Sequence, residues 1–389
     1  MTEQTNTPEL RFPEFTEKLI LQKLNSVASV TMGQSPKSSN YTDDSKQMTL
    51  VQGNADLKNG KINSRIYTTE ITKIAKVQDI ILTVRAPVGE LAIAQKEVCI
   101  GRGVCAIKAN KFVYYFLEKL KINKLWTRLS QGSTFEAISG NDIKNINVTL
   151  PSKKEQIKIG DFFSKLDQQI ELEEKKLELL EQQKRGYIQK IFSQGLRFKD
   201  EEGNYYKEWD TKQLKDVLEF SNKRTTNENE YPVLTSSRQG LILQSDYYKD
   251  GKTFAESNIG YFILPKNYIT YRSRSDDGIF KFNLNQIIDV GIISKYYPVF
   301  KGINTNQYYL TLHLNYQLKK EYIKYATGTS QLVLSKKNLQ NIQTKLPSYE
   351  EQTKIANFLS ELDKLIEKQS DKVELLKDRK KGLLQKMFV

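Results

Sequence analysis

Two stretches of the chain, 150–192 and 346–388, carry apolar residues at alternating steps of three and four. With Phe163 at heptad position a, the a and d positions of the first stretch hold Ile159, Phe163, Leu166, Ile170, Leu177, Leu180, Tyr187 and Ile191, interrupted by Glu173 and Lys184. The second holds Ile355, Leu359, Leu362, Ile366, Val373, Leu376, Leu383 and Met387, interrupted by Gln369 and Lys380. A seam of this period predicts a long amphipathic helix that covers its stripe against another helix. Each stretch opens on Leu-Pro-Ser, with a glutamate three residues after the serine. Ser152 with Glu155 and Ser348 with Glu351 therefore predict a reciprocal capping box at both helix starts.

Elsewhere the pattern shortens. Runs such as KIAKVQDIILTV (73–84) and GYFILPKNYITYR (260–272) are rich in β-branched and aromatic residues and are bounded by Gly, Asn and Asp, which predicts short strands and turns. KFVYYFLEKLKINKLWTRL (111–129) has helical spacing. The fold class expected is α+β.

The two heptad stretches are copies of one another. At an offset of 196, 22 of 43 paired positions are identical. The likeness extends upstream, where GSTFEAIS (132–139) faces GTSQLVLS (328–335), and Leu10-Arg11-Phe12 is echoed by Leu196-Arg197-Phe198. In between, the halves diverge over a faint common skeleton. DIILTVR (79–85) resembles NYITYR (267–272), each before a loop with Gly89 or Gly278, and GRGVCAIK (101–108) resembles SKYYPVFK (294–301). A tandem duplication follows: variable domain 1–150, helix 151–195, variable domain 196–346, helix 347–389. Both seams break at the same two places, so the economical arrangement pairs the helices with each other. A pseudo-twofold relation between the copies makes that pair an antiparallel coiled coil.

Composition changes the picture by its charge. Sixty Lys and Arg stand against 46 Asp and Glu, a net charge of +14. Such an excess favours a polyanionic partner, nucleic acid first and a membrane surface second. The polar opening has no signal-peptide core, and no window is apolar enough to span a membrane. Cys99 and Cys105 are the only cysteines, which fits a reducing, cytoplasmic setting.

Catalytic and metal motifs are missing. His313 is the single histidine and reads as structural. Cys99 and Cys105 have no second pair for zinc and read as core thiols. Gly251-Lys252-Thr253 resembles the end of a phosphate-binding loop, but Asp246 stands where its first glycine belongs. No two prolines are adjacent, so the Asn/Asp-Pro-Pro-aromatic motif of adenine methyltransferases is absent. No cofactor and no metal is expected on this chain.

Base edges are read by side chains on loops: Arg on guanine, Asn or Gln on adenine. Candidates belong to the loops that differ between the halves. In the first domain they are Ser35, Lys37 and Ser39 in GQSPKSSNY, Asn54 in QGN, Arg85, Arg102, and Gln131 and Ser133 in SQGST. In the second they are Arg224, Ser237, Arg238, Tyr271, Arg272, Arg274, Asp276, Lys295, Tyr296 and Thr329. YRSRSDD (271–277) is the strongest loop. Ordinary turn chemistry accounts equally for the Ser, Asn, Gly and Asp content of any one loop.

The order variable–helix–variable–helix, with LPSKKEQIKIGDFFSKLDQQI and LPSYEEQTKIANFLSELDKLI opening the helices and LRFPEF near the start, resembles the specificity subunits of type I restriction–modification systems over essentially the whole chain. The resemblance implies a non-catalytic subunit whose two target-recognition domains each read one half of a bipartite, asymmetric target in double-stranded DNA, with the helices setting the gap. It implies two methylase subunits as partners, using S-adenosylmethionine on adenine, and restriction subunits using ATP and Mg²⁺. Two other readings stay open from the residues alone: a basic coiled-coil scaffold for another anionic partner, and a nuclease or methylase acting by itself.

Overall fold

Each heptad stretch forms one uninterrupted helix, Lys153–Phe192 and Tyr349–Met387. The structure is a computed structural model describing residues 7–130, 137–247 and 257–389. It divides into two units, Met1–Lys176 with Gln369–Val389, and Leu177–Lys368. The segments expected at 151–195 and 347–389 are thus shared out, each long helix beginning in one unit and ending in the other.

Inside each unit the helices run antiparallel. In the first, Glu173 meets Gln369, Asp167 meets Lys380, and Phe163 lies 6.0 Å from the Phe388 ring. In the second, Lys184 meets Asp363 and Tyr187 packs on Phe358 at 4.9 Å. Ile159, Phe163, Leu166, Ile170, Ile355, Leu359, Leu362, Val373 and Leu376 are buried, while Leu177, Leu180 and Ile366 are half-buried. The seam is not helix-on-helix alone. Phe163 also meets Tyr115 at 5.1 Å, so the helix ends pack into the cores of the α+β units.

The seam breaks have definite partners. Lys380 pairs with Asp167 (2.6 Å) and Glu118 (2.7 Å), and its copy Lys184 pairs with Asp363, the copy of Asp167. A tyrosine donates to each aspartate, Tyr115 to Asp167 and Tyr308 to Asp363. Polar seam residues with one fixed partner cost stability but specify register.

The helix starts differ from expectation. Ser348 Oγ accepts the Glu351 N–H at 3.3 Å, half of a capping box; Ser152 Oγ has no partner among the described residues. Neither glutamate turns back on its own helix. Glu155 takes the Arg11 guanidinium in a two-pronged bond (2.8 and 2.7 Å), and Glu351 takes Arg197 (2.8 and 3.1 Å) and the Trp209 indole N–H (3.2 Å). A bidentate arginine is a stronger partner for a buried carboxylate than one N–H. The Leu-Arg-Phe segments therefore dock on the helix starts. Phe12 packs on Phe162, and Phe198 on Phe358.

Both units use one β framework. In the first, Ser29–Met32, Val104–Lys108, Ile80–Thr83 and Leu91–Ile93 are neighbours in one sheet; in the second, Leu218–Ser221, Val299–Gly302, Ile269–Tyr271 and Phe282–Leu284 repeat that order. A two-stranded ladder before each long helix repeats too, Ile20–Lys23 with Asn147–Leu150 and Asp210–Gln213 with Gln343–Leu346. The helix expected over 111–129 is two, Lys111–Ile122 and Leu125–Ser130. Lys124 separates them with a φ of 56°. No helix among the described residues is long and apolar enough to cross a membrane.

Candidate nucleic-acid interface

In the second unit the strand Ile269–Tyr271 is buried along its whole length and the chain emerges at Arg272. Tyr271, expected at the interface, lies inside the unit. Its ring stacks on Phe282 at 4.7 Å, its hydroxyl donates to the Leu334 carbonyl at 2.9 Å, and it is 0% exposed. The residues after it open onto a cleft of about 390 Å³ lined by Thr235, Ser236, Gln244, Tyr261, Arg272, Arg274 and Tyr296, among others. A second concavity of about 340 Å³ shares Ser273, Arg274 and Tyr296 with it and adds Asn222, Lys295 and Lys336. Four of the residues expected from sequence, Arg272, Arg274, Lys295 and Tyr296, thus converge. The Tyr296 ring is 60% exposed, with the Arg274 guanidinium 5.9 Å and the Lys295 ammonium 5.7 Å from its centroid. Two cations beside an exposed ring suit a polyanion.

Other expected residues are engaged within the protein. Arg224 donates to the Gly260 carbonyl (2.7 Å) and lies 4.0 Å over the Phe262 ring. Arg238 pairs with Asp277 at 2.7 Å. Asp277 also accepts from the Ser275 hydroxyl and the Ile279 N–H, and together these donors hold its carboxyl below the usual range. Asp276 accepts from the Gln331 amide at 2.8 Å, which ties the 271–277 loop to the segment carrying exposed Thr329. Ser237 is a turn residue. Its hydroxyl donates to the Gly240 carbonyl and accepts from the Gln239 N–H. Thr235 and Asn222 belong to the loops TSSRQ (235–239) and SNKR (221–224), which the sequence marks as candidates. Gln244, Tyr261 and Lys336 were not expected, and Tyr261 comes from a segment whose sequence reads as ordinary strand.

In the first unit three loops meet backbone to backbone. A Cβ on Gly33 would lie 2.1 Å from the Gly101 carbonyl oxygen, and one on Gly103 would lie 2.0 Å from that of Gln52. Only glycine permits this approach. Ser35 Oγ accepts the Arg102 N–H at 3.1 Å, and Val84 donates its N–H to Gly103 at 2.9 Å. The Asp56 carboxylate accepts from the Gln52 and Gly53 N–H groups (2.7 and 3.2 Å) and fixes the turn bearing exposed Asn54. Ser35, Asn54, Arg85 and Arg102 therefore stand on adjoining loops. Lys37 and Ser39 follow on an exposed turn, which Glu70 holds through the Lys37 N–H (2.8 Å) and the Asn40 amide (2.7 Å). Gln131, Ser133 and Gly251-Lys252-Thr253 lie outside the described residues.

The chemistry-bearing singletons are interior. His313 is 0% exposed; its Nε2 lies 2.7 Å from Thr344 Oγ1, and burial lowers its pKa to about 3. Cys99 and Cys105 are buried and unbridged, and burial pushes the Cys105 thiol up to about 12. Among the described residues no group of three His, Cys, Asp or Glu could hold a metal ion.

The profile described as type I restriction modification DNA specificity domain matches twice, at residues 21–182 and 206–375. Two relatives come from Methanocaldococcus jannaschii. The putative type I restriction enzyme MjaX specificity subunit is 35% identical over 44% of this chain and 41% of its own length. The MjaVIII specificity subunit is 26% identical over 75% of this chain and 74% of its own. The chain thus spans less than half of the first relative. Among solved structures, the S subunit of a type I restriction-modification system from M. genitalium superposes with a TM-score of 0.61 at 18% identity, covering 98% of this chain and 99% of that one. A structure described as addressing complex assembly and conformational transition of the type I R-M system superposes at 0.56 and 17% identity, covering 96% and 98%. At these identities the superpositions speak for the fold.

Proposed function

The chain belongs to the family of type I restriction modification DNA specificity domains, and from that premise we propose that it is the non-catalytic DNA-reading subunit of such a system. Each recognition domain, 1–150 and 196–346, reads one half of a bipartite, asymmetric target in duplex DNA. Two methylase subunits carrying S-adenosylmethionine act on adenines there, and restriction subunits using ATP and Mg²⁺ join through the same assembly in the cytoplasm. The observation that carries this reading is one β framework used twice with different side chains at its open loops. Arg272 and Tyr296 gather beside Arg274 and Lys295 in the second unit; Ser35 and Asn54 stand on loops adjoining Arg85 and Arg102 in the first. Unequal loops on equal frameworks fit unequal half-sites.

Arg272 has no ion-pair or hydrogen-bond partner among the described residues and faces the cleft, so it is the leading base reader, with a bidentate grip on guanine as its natural target. The test is selection from a randomised duplex library by the chain bound to its methylase subunit. Wild type enriches two separated half-sites. Arg272→Ala relaxes one half-site by about 1–3 kcal/mol of discrimination at one base pair and leaves the other intact. Relaxation of both half-sites, or DNA binding with no enriched motif, contradicts the proposal.

A further inference from the structure

The backbone ladders align the two units residue by residue where their sequences have parted. Ala75 pairs with Val98 in the first unit, and Leu264 with Gly291 in the second; Ile80 pairs with Ile107, and Ile269 with Phe300. Both pairings give the same two offsets, 189 for the earlier strand and 193 for the later. Beyond the strand the correspondence holds. Arg85 bridges Ala137 and Arg274 bridges Val333, positions 196 apart. Ile138 donates its N–H to Val84, and Leu334 donates to Ser273, both at 2.9 Å. Gly89 and Gly278, also 189 apart, both take positive φ, 91° and 73°.

Two cations therefore occupy the same places in both units. Arg85 corresponds to Arg274 and Arg102 to Lys295. All four are exposed. The junction between the two positions is closed in each unit by one hydrogen bond, Val84 N–H to Gly103 O (2.9 Å) in the first and Ser273 Oγ to Tyr296 O (3.1 Å) in the second. Around this pair the side chains are not shared. Arg272 stands where the first unit has fully buried Thr83, and Tyr296 where it has Gly103.

We infer that Arg85 with Arg102, and Arg274 with Lys295, are one phosphate-gripping pair used twice, and that base selectivity belongs to the side chains the two units do not share. A contact kept through such divergence must meet something common to both half-sites. Unequal half-sites have the sugar–phosphate backbone in common, and backbone contacts position a reader without carrying sequence information. The change from Arg102 to Lys295 agrees, because a phosphate accepts either cation as a charge, whereas a bidentate base contact does not.

This inference rests on the DNA-reading function proposed above, and the test separates the two. The dissociation constant of the full chain with its methylase subunit is measured against salt. The probes are the duplex selected by wild type, single-base variants of it and an unrelated duplex. Arg85→Ala and Arg274→Ala are expected to weaken binding to all of them by a similar factor. Each lowers the slope of log K against log salt by roughly one and leaves the ranking of the base variants unchanged. Arg274→Lys, which keeps the charge, restores both affinity and slope. If Arg274→Ala reorders the base variants at an unchanged slope, or Arg274→Lys behaves like alanine, the inference falls while the DNA-reading function stands. If wild type prefers no duplex over the unrelated one, both fall.

Discussion

Gln369 donates its side-chain amide to the main-chain carbonyl (3.0 Å) and the carboxylate (2.7 Å) of Glu173, the residue holding its own place in the first repeat. The meeting of these counterparts is unlike on its two sides, an acceptor facing a donor, with Lys372 also on the carboxylate. These partners hold the Glu173 carboxyl below its ordinary range. Gln369→Glu sets two carboxylates face to face and is expected to lower the melting temperature at pH 7 by a few degrees. A carboxyl with a lowered pKa contributes above its unfolded value and loses that contribution as pH falls through the folded one. The gap between wild type and variant should therefore close below about pH 4. Thermal melts at both pH values decide it, and a gap that persists in acid argues against this contact.

Lys380 and Lys184 occupy equivalent seam positions with unequal surroundings. Lys380 faces Asp167 and Glu118, and burial raises the Glu118 carboxyl above its normal range although Lys380 opposes the shift. Lys184 pairs with Asp363, whose side chain is 42% exposed. Lys380→Met strands a buried carboxylate and should cost roughly 3 kcal/mol. Lys184→Met should cost about 1 kcal/mol or less, since water reaches Asp363. Equal losses in urea denaturation would refute the assigned difference.

The bond between Arg197 and Glu351 ties the chain entering the second variable domain to the start of the second long helix. The Glu351 side chain is 1% exposed and the arginine 13%. Arg197→Ala leaves that carboxylate with the Trp209 indole as its remaining side-chain donor, and roughly 3 kcal/mol of stability should go with it. The double variant Arg197→Ala with Glu351→Gln removes the stranded charge and should recover part of the loss. A double variant less stable than the single one would show that the pairing is not what holds this corner.

His313 gives the protein an acid sensitivity of known sign. Its folded pKa is lowered to about 3, below the ordinary imidazole value of about 6.5, because burial disfavours the cation. Above pH 6.5 the ring is neutral folded or unfolded and contributes no slope. As pH falls from there toward 3 the unfolded chain takes up a proton that the folded one refuses. Stability then drops by up to about 1.4 kcal/mol per pH unit from this group. His313→Asn should be less stable at pH 7 yet flatter between pH 6.5 and 4.5, measured by urea denaturation. An unchanged slope would mean the acid response belongs to other groups.

The duplication was legible where packing had preserved it. The helix repeats share a seam and its two interruptions, and each interruption has definite polar partners across the pair. The strands share a framework but few side chains, so their alignment from sequence slips. Matching DIILTVR with NYITYR sets Arg85 against Arg272, whereas the ladders set it against Arg274. Tyr271 misled because an aromatic beside arginines looks alike facing in or out, and a strand buried on both faces has no alternation to reveal it. The Ser-x-x-Glu signature was read locally, while the partner of Glu155 is Arg11, 144 residues upstream. Gln244 and Tyr261 join the cleft only through the folding of distant segments, which leaves no local signal.

The proposed function has this chain dictate where DNA is modified. The direct measurement is a genome-wide map of N6-methyladenine in cells lacking other methylases and expressing the chain with its cognate methylase subunit. One bipartite, asymmetric motif, present with the chain and absent without it, is the predicted result. A stable complex that leaves no motif, or a methylation pattern unchanged when the chain is omitted, would contradict the account.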